Sequence, residues 1–180
     1  MLFRSPERVT GIDLFSDLLA AAAQHGLGVY FLGAQPDVLQ RLEKAVTARF
    51  PGLRVVGRRD GYFEDADAPV VAQDIQDSGA DMLFLGMVSP KKEVFLATWG
   101  DRLGVPVQHG VGGSFDIFAG VTKRAPLLWQ RFGMEWAFRL VQEPRRMWRR
   151  YLFTNLAFLR LLAREMVRPE PAMSPSTGEH

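Results

Sequence analysis

Residues 112–116 read Gly-Gly-Ser-Phe-Asp. Two glycines, a hydroxyl and a carboxylate within five positions can do chemistry. Glycines let the backbone approach a ligand closely, and free N–H groups can hold phosphate oxygens. Asp116 could bind a sugar or ribose hydroxyl or act as a base. The same residues also suit a tight turn and a turn-stabilising carboxylate. A second candidate is Ser-Pro-Lys-Lys-Glu, residues 89–93. Lys91 and Lys92 would open a helix at the end that favours anions, so an anionic ligand there would explain them, as would plain solvation. Glu93 fits a first-turn carboxylate. Tyr62 and Phe63 could stack on a flat base or pack in a core.

The elements that would position these groups repeat along the chain. Apolar runs at 28–34, 53–58, 81–87 and 105–113 recur at roughly 25-residue spacing, each with a closing glycine. They alternate little, as expected for strands buried on both faces. Helical patterns lie between them, with Gly26 as a C-cap and Pro36 at a first helical position. This alternation predicts an α/β fold with a parallel, doubly wound sheet, whose ligand site lies beyond the carboxyl ends of the strands. The loops there are 33–36, 60–63, 86–93 and 112–116.

Composition narrows the classes. The chain has 180 residues, 47% hydrophobic and 23% charged, and no cysteine. Thiolate metal sites and disulfides are excluded, and His25, His109 and His180 have no metal-ligand spacing. His109 reads as a packed core histidine, and Trp99, Trp129 and Trp136 as core. The Gly-x-Gly-x-x-Gly and Walker A signatures are absent, which disfavours the common dinucleotide and ATP sites. Residues 133–168 hold eight Arg against three Glu, net +5, while the remainder is net −3. From Pro144 onward Arg146, Arg150, Arg160, Arg164 and Arg168 form a rough stripe opposite Trp148, Leu152, Leu159, Leu162 and Met166. A basic amphipathic helix of this kind suits an anionic membrane surface. A nucleic-acid role is disfavoured, because the glycine loops would then have no purpose. No signal peptide and no run of about 18 uncharged apolar residues is visible, so the expected compartment is cytoplasmic. Residues 169–180 are expected to be a disordered tail.

Several blocks together resemble the WecG/TagA/CpsF glycosyltransferases, glycosyltransferase family 26. They are PERVTGIDLF, GYF, GMVSPKKE, GVGGSFDIFAG with KRAP, and GMEWAFRLVQEPRRMWRRY. The resemblance covers about Pro6 to Glu165. It implies a Rossmann-like α/β core, 1–132, with a helical, membrane-associating appendage, 133–168. The implied activity is inverting, metal-independent transfer of a sugar from a UDP-sugar to a polyprenyl-diphosphate-linked saccharide, for bacterial surface polysaccharide or exopolysaccharide. The donor sugar would be of the N-acetylmannosamine, N-acetylmannosaminuronic acid, glucose or glucuronic acid type. The resemblance places the enzyme peripherally on the inner face of the cell membrane, as a possible homo-oligomer, without a cofactor.

By the same resemblance Arg8 stands near the donor or its leaving diphosphate, and Tyr62 near the uracil. Gly112, Gly113 and Asp116 match the nucleotide-sugar loop. Lys92 and Glu93 belong to a substrate-binding motif in which many members have Gln at the position of Lys92. Arg139, Arg146 and Arg149 match appendage arginines that close over the diphosphates, as guanidinium forks do. The family's favoured catalytic base is an Asp in a Pro-Asp-Gly segment upstream of the arginine block. No counterpart precedes Arg8, so the base is expected outside this sequence and the core is expected to be N-terminally truncated relative to the family. The alternative expectation is an inactive relative that binds UDP-sugar or a membrane surface.

Overall fold

The structure is a computed structural model, which describes residues 10–126, 129, 134–142, 144, 158 and 160. The chain divides into two compact units, Met1–Arg124 and Ala125–His180.

In the first unit, helix α1 (Gly11–His25) leads into strand β1 (Gly28–Gly33). Helix α2 (Pro36–Arg49) and strand β2 (Arg54–Arg59) follow. Next come a short 3-10 turn, helix α3 (Ala68–Asp77), strand β3 (Met82–Gly86) and helix α4 (Lys91–Trp99). A second 3-10 turn, strand β4 (Val107–Gly110) and helix α5 (Ser114–Phe118) complete the unit. All strand pairs are parallel, in the order β2-β1-β3-β4. The chain therefore leaves β1 in one direction and returns on its other side. The carboxyl ends of β1 and β3 flank the point where the order reverses, which is where open α/β sheets hold ligands.

Local signals account for the helix ends. Gly26 takes the left-handed conformation at φ 66° and stops α1, since a glycine adopts it without Cβ strain. Pro36 opens α2 at the position where its missing N–H costs nothing.

Alternation along the strands divides the core in two. Val29, Phe31, Met82 and Phe84 face α1, α2 and α5, packing with Phe15, Leu19, Leu42, Val46 and Phe115. Tyr30, Leu32, Leu83 and Leu85 face α3 and α4, packing with Val71, Ile75 and Phe95. Phe15 meets Phe84 edge-on at 4.9 Å and Phe118 at 5.0 Å. Each such aromatic contributes about 1.5–3 kcal/mol through burial alone. On the other face the Tyr30 ring lies against Gly57, where a Cβ would stand 2.3 Å from its Cε2, and its hydroxyl donates to Asp74 Oδ2 at 2.6 Å. Burial and the neighbouring Asp74 carboxylate push the Tyr30 hydroxyl well above its ordinary range.

One expectation is corrected here. β1 is buried throughout and β3 up to Leu85, whereas β2 and β4 are half-exposed. They lie at the two ends of the strand order, so each has a strand neighbour on one side among the described residues. On β2, Arg54, Arg58 and Arg59 add charge to the edge, and charged edges resist pairing with another chain.

In the second unit, helix α6 spans Glu135–Gln142, and Trp129 packs against Phe138 at 5.8 Å. Trp129 is thus in contact, though 36% exposed. No helix among the described residues is long and apolar enough to cross a membrane.

Candidate functional site

The four loops expected to build a site meet at the carboxyl edge of the sheet, and glycine is what lets them meet. Gly33 ends β1 in register with Gly86 of β3, at φ 133°. A Cβ on Gly33 would stand 2.4 Å from the Gly86 carbonyl carbon. Ala34 then takes φ 58°, donates its N–H to Gly86 O at 3.3 Å and accepts from Gly61 N–H at 3.2 Å. Gly61 in turn approaches Gly33 so closely that a Cβ would lie 3.0 Å from Gly33 Cα. Backbone thus packs on backbone at the reversal point. Beside it, the Phe115 ring lies against Gly86, where a Cβ would come within 2.4 Å. That contact seats the 112–116 loop on the end of β3.

The two lysines at the start of α4 have different tasks. Lys91 Nζ donates to Gly61 O at 3.0 Å and to Phe63 O, and sits 3.9 Å from the Phe63 ring centre. It stitches the loop after β2 to α4. Phe63 packs edge-on against Phe95 at 5.9 Å, so it belongs to the core. Tyr62 is left 67% exposed, with its N–H held by Asp60 Oδ1 at 2.9 Å. The expectation that both lysines serve an anion is therefore corrected for Lys91, whose ammonium is engaged by protein carbonyls.

Lys92 lies across the end of β4. A Cβ on Gly110 would be 3.0–3.1 Å from its Cδ, Cε and Nζ. Its ion-pair partner is Glu93 at 3.2 Å. Glu93 is largely exposed, and such pairs contribute about 0–1 kcal/mol. The Glu93 carboxyl sits below the usual carboxylate range, because its own backbone N–H donates to it at the helix start, with Lys92 and Ser89 adding to the effect.

His109 immediately precedes Gly110. Its Nε2 is buried with no hydrogen-bond partner among the described residues. Burial first, then the Lys92 charge, hold the imidazole pKa below its ordinary value. It is a half-buried histidine with one unmet nitrogen, not the fully packed one expected. In the unfolded chain His109 would take up a proton near pH 6.5, whereas the folded chain resists it. The stability conferred by keeping it neutral is present above pH 6.5 and declines as pH falls through the lowered folded value. Thermal melts from pH 7.5 to 5 should therefore show a shallower loss for His109→Gln than for the parent. Parallel curves would contradict this.

The 112–116 loop combines a turn with an open backbone. Gly112 has φ 54°, and a Cβ there would meet nothing within 4 Å. Gly113 caps α5, and Ser114 is buried with its N–H donating to Val111 O at 3.1 Å. Asp116 is half-buried. Its carbonyl oxygen accepts from Val121 and Thr122 N–H at 2.9 and 3.1 Å, which closes the segment after α5 back on itself. Tyr62, Gly112 and Gly113 thus lie on loops, and Lys92, Glu93 and Asp116 in the first turns of α4 and α5, all at one sheet edge. Arg139 lies on α6, in the second unit. Arg8, Arg146 and Arg149 lie outside the described residues, as does most of the arginine stripe and the 169–180 tail. No group of three or more His, Asp or Glu suited to a metal ion occurs among the described residues.

Sequence reasoning missed a contact at this end. Thr10 Oγ donates to Asp13 Oδ2 at 2.5 Å, and Arg124 Nη2 donates to Asp13 Oδ1 at 2.6 Å. The Thr-x-x-Asp spacing was readable as a capping pattern. The Arg124 contact, 111 positions away, had no sequence signal.

A parallel sheet whose strand order reverses between β1 and β3 places the molecule among the open, doubly wound α/β proteins, whose ligands bind at that point. The chain belongs to the WecG/TagA/CpsF glycosyl transferase family, whose model matches residues 1–172. Membership makes it a glycosyltransferase of cell-surface polysaccharide synthesis, working on a sugar donor and an acceptor.

Proposed function

We propose that this chain binds a UDP-sugar at the carboxyl edge of the sheet and serves its inverting transfer to a polyprenyl-diphosphate-linked saccharide, without a metal ion. The observation that carries the reading is Lys92. Its ammonium is laid across Gly110, two residues before the open Gly112 backbone, and its companion Lys91 is tied up elsewhere. A cation beside an open glycine backbone at one loop cluster suits a diphosphate. Asp116 would take a hydroxyl or ring N–H of the donor, and exposed Tyr62 would stack on uracil. Departing UDP gains negative charge, and Lys92, Arg8 and the appendage residues Arg139, Arg146 and Arg149 are positively charged groups to offset it. The basic stretch beyond Tyr151 would rest on anionic lipid at the inner face of the membrane.

Calorimetric titration with UDP and a panel of UDP-sugars tests the donor half. UDP release on adding a polyprenyl-diphosphate saccharide tests the transfer. Absence of saturable heat with every nucleotide would refute the proposal. The alanine variant at Gly110 gives a sharper check. Its Cβ meets the flexible end of Lys92 rather than backbone, so stability should change little. Displacing that ammonium should weaken UDP-sugar binding about three- to tenfold. Unchanged binding would remove Lys92 from the site.

A further inference from the structure

The Arg124 contact has a consequence for the donor site. Only Gly26 and Leu27 separate α1 from β1, and Phe15 near the start of α1 packs on Phe115 at 5.8 Å. The first turn of α1 therefore stands at the carboxyl edge, beside the loop that carries Asp116. Arg124 reaches this turn from the far end of the segment that leaves Asp116. Its Nη2 donates to Asp13 Oδ1 at 2.6 Å and approaches Thr10 Oγ at 3.5 Å. Asp13 Oδ2 meanwhile accepts from the Thr10 hydroxyl at 2.5 Å and more weakly from Thr10 N–H at 3.4 Å. One carboxylate thus holds both the entry to α1 and the cation at the end of the first unit.

The pair is 43% and 37% exposed, so its stabilisation is about 0–1 kcal/mol. Its effect is geometric. Val121 and Thr122 N–H bonds to Asp116 O tighten the near end of the segment, and Arg124 ties down the far end. Two separately folded loops of the site edge are locked in register across 111 positions.

We propose that Arg124, Asp13 and Thr10 form a positioning clamp for the donor site. The clamp holds the first turn of α1, which follows Arg8 closely in sequence, against the segment that leaves Asp116. None of the three touches the reacting atoms. This inference rests on the donor reading above, because it assigns the clamp's purpose to that site.

The test uses the full chain with Arg124→Met, Asp13→Asn, their double variant and the conservative Arg124→Lys. Hydrogen exchange at residues 10–14, where the Thr10, Asp13 and Leu14 amides are bonded, reports the clamp itself. Amides of residues 82–86 in β3 are the internal control. Arg124→Met should raise exchange at 10–14 about two- to fivefold and leave β3 unchanged, because only the clamped edge opens. UDP-sugar binding should weaken about two- to fivefold in Arg124→Met, and Arg124→Lys should recover much of it. The double variant should match the singles, since the groups act as one unit. The proposal is overturned if exchange at 10–14 stays at the parent level. It is also overturned if binding is unmoved while only the melting temperature falls. Variants that fail while the parent binds UDP-sugar tightly leave the donor reading intact. A parent chain that binds no UDP-sugar removes that reading and the clamp's purpose together.

Discussion

Gly33→Ala is expected to destabilise the first unit by about 3 kcal/mol or more, a loss reserved for backbone strain and collision. Two costs combine. At φ 133° an L-residue is strained, by about 1–3 kcal/mol. The added Cβ would also stand 2.4–2.7 Å from Gly86 carbonyl C, Cα and O. These are backbone atoms of a central strand, so neither can move aside without breaking the β1–β3 ladder. The melting temperature should fall by about 10 °C or more, given about 2–8 °C per kcal/mol in domains of this size range. Gly26→Ala is the control. It meets the left-handed strain at φ 66° but no neighbour within 4 Å, so about 1 kcal/mol is expected. Circular dichroism melts of the three proteins check this. A Gly33→Ala protein melting within about 2 °C of the parent would mean the loops do not interlock as described.

Asp116→Asn is expected to act on binding and turnover while leaving the fold in place. The backbone carbonyl of Asp116 accepts from Val121 and Thr122 N–H and closes the segment after α5. An isosteric amide keeps that arrangement. What it loses is the negative charge, and hydrogen bonds to a charged group are worth about 1.5–3 kcal/mol. The donor should therefore bind about 10- to 100-fold more weakly, since each 1.4 kcal/mol is tenfold. Calorimetry with UDP and the UDP-sugar that the parent binds gives the number, with a melt alongside. Parent-like affinity at a parent-like melting temperature would confine Asp116 to a structural role. A lowered melting temperature with parent-like affinity would point the same way.

The edge residues show where reading the chain in order runs out. Lys91 and Lys92 are adjacent and chemically identical, and nothing local separates them. Their directions differ because successive helical positions point about 100° apart. One therefore meets the carbonyls of Gly61 and Phe63, and the other meets Gly110. Tyr62 and Phe63 divide likewise: Phe63 packs against Phe95, and Tyr62 remains in solvent. Gly33, Gly61 and Gly86 each read as strand or turn punctuation. That they exist for one another follows only from the register of β1 with β3.

By itself, the amino-acid sequence determined the strand–helix alternation, the parallel sheet and the edge at which a site forms. It determined these because period, capping and glycine placement are local properties, written within a few residues of where they act. The motif order also carried the family, since matched blocks keep their spacing whatever the fold does between them. Only the tertiary structure decided which lysine is engaged by protein carbonyls, and which strands are exposed at the edges. Only there does Arg124 find Asp13. These outcomes depend on packing between positions tens of residues apart, where the strand order β2-β1-β3-β4 and side-chain direction, rather than spacing along the chain, set the distances.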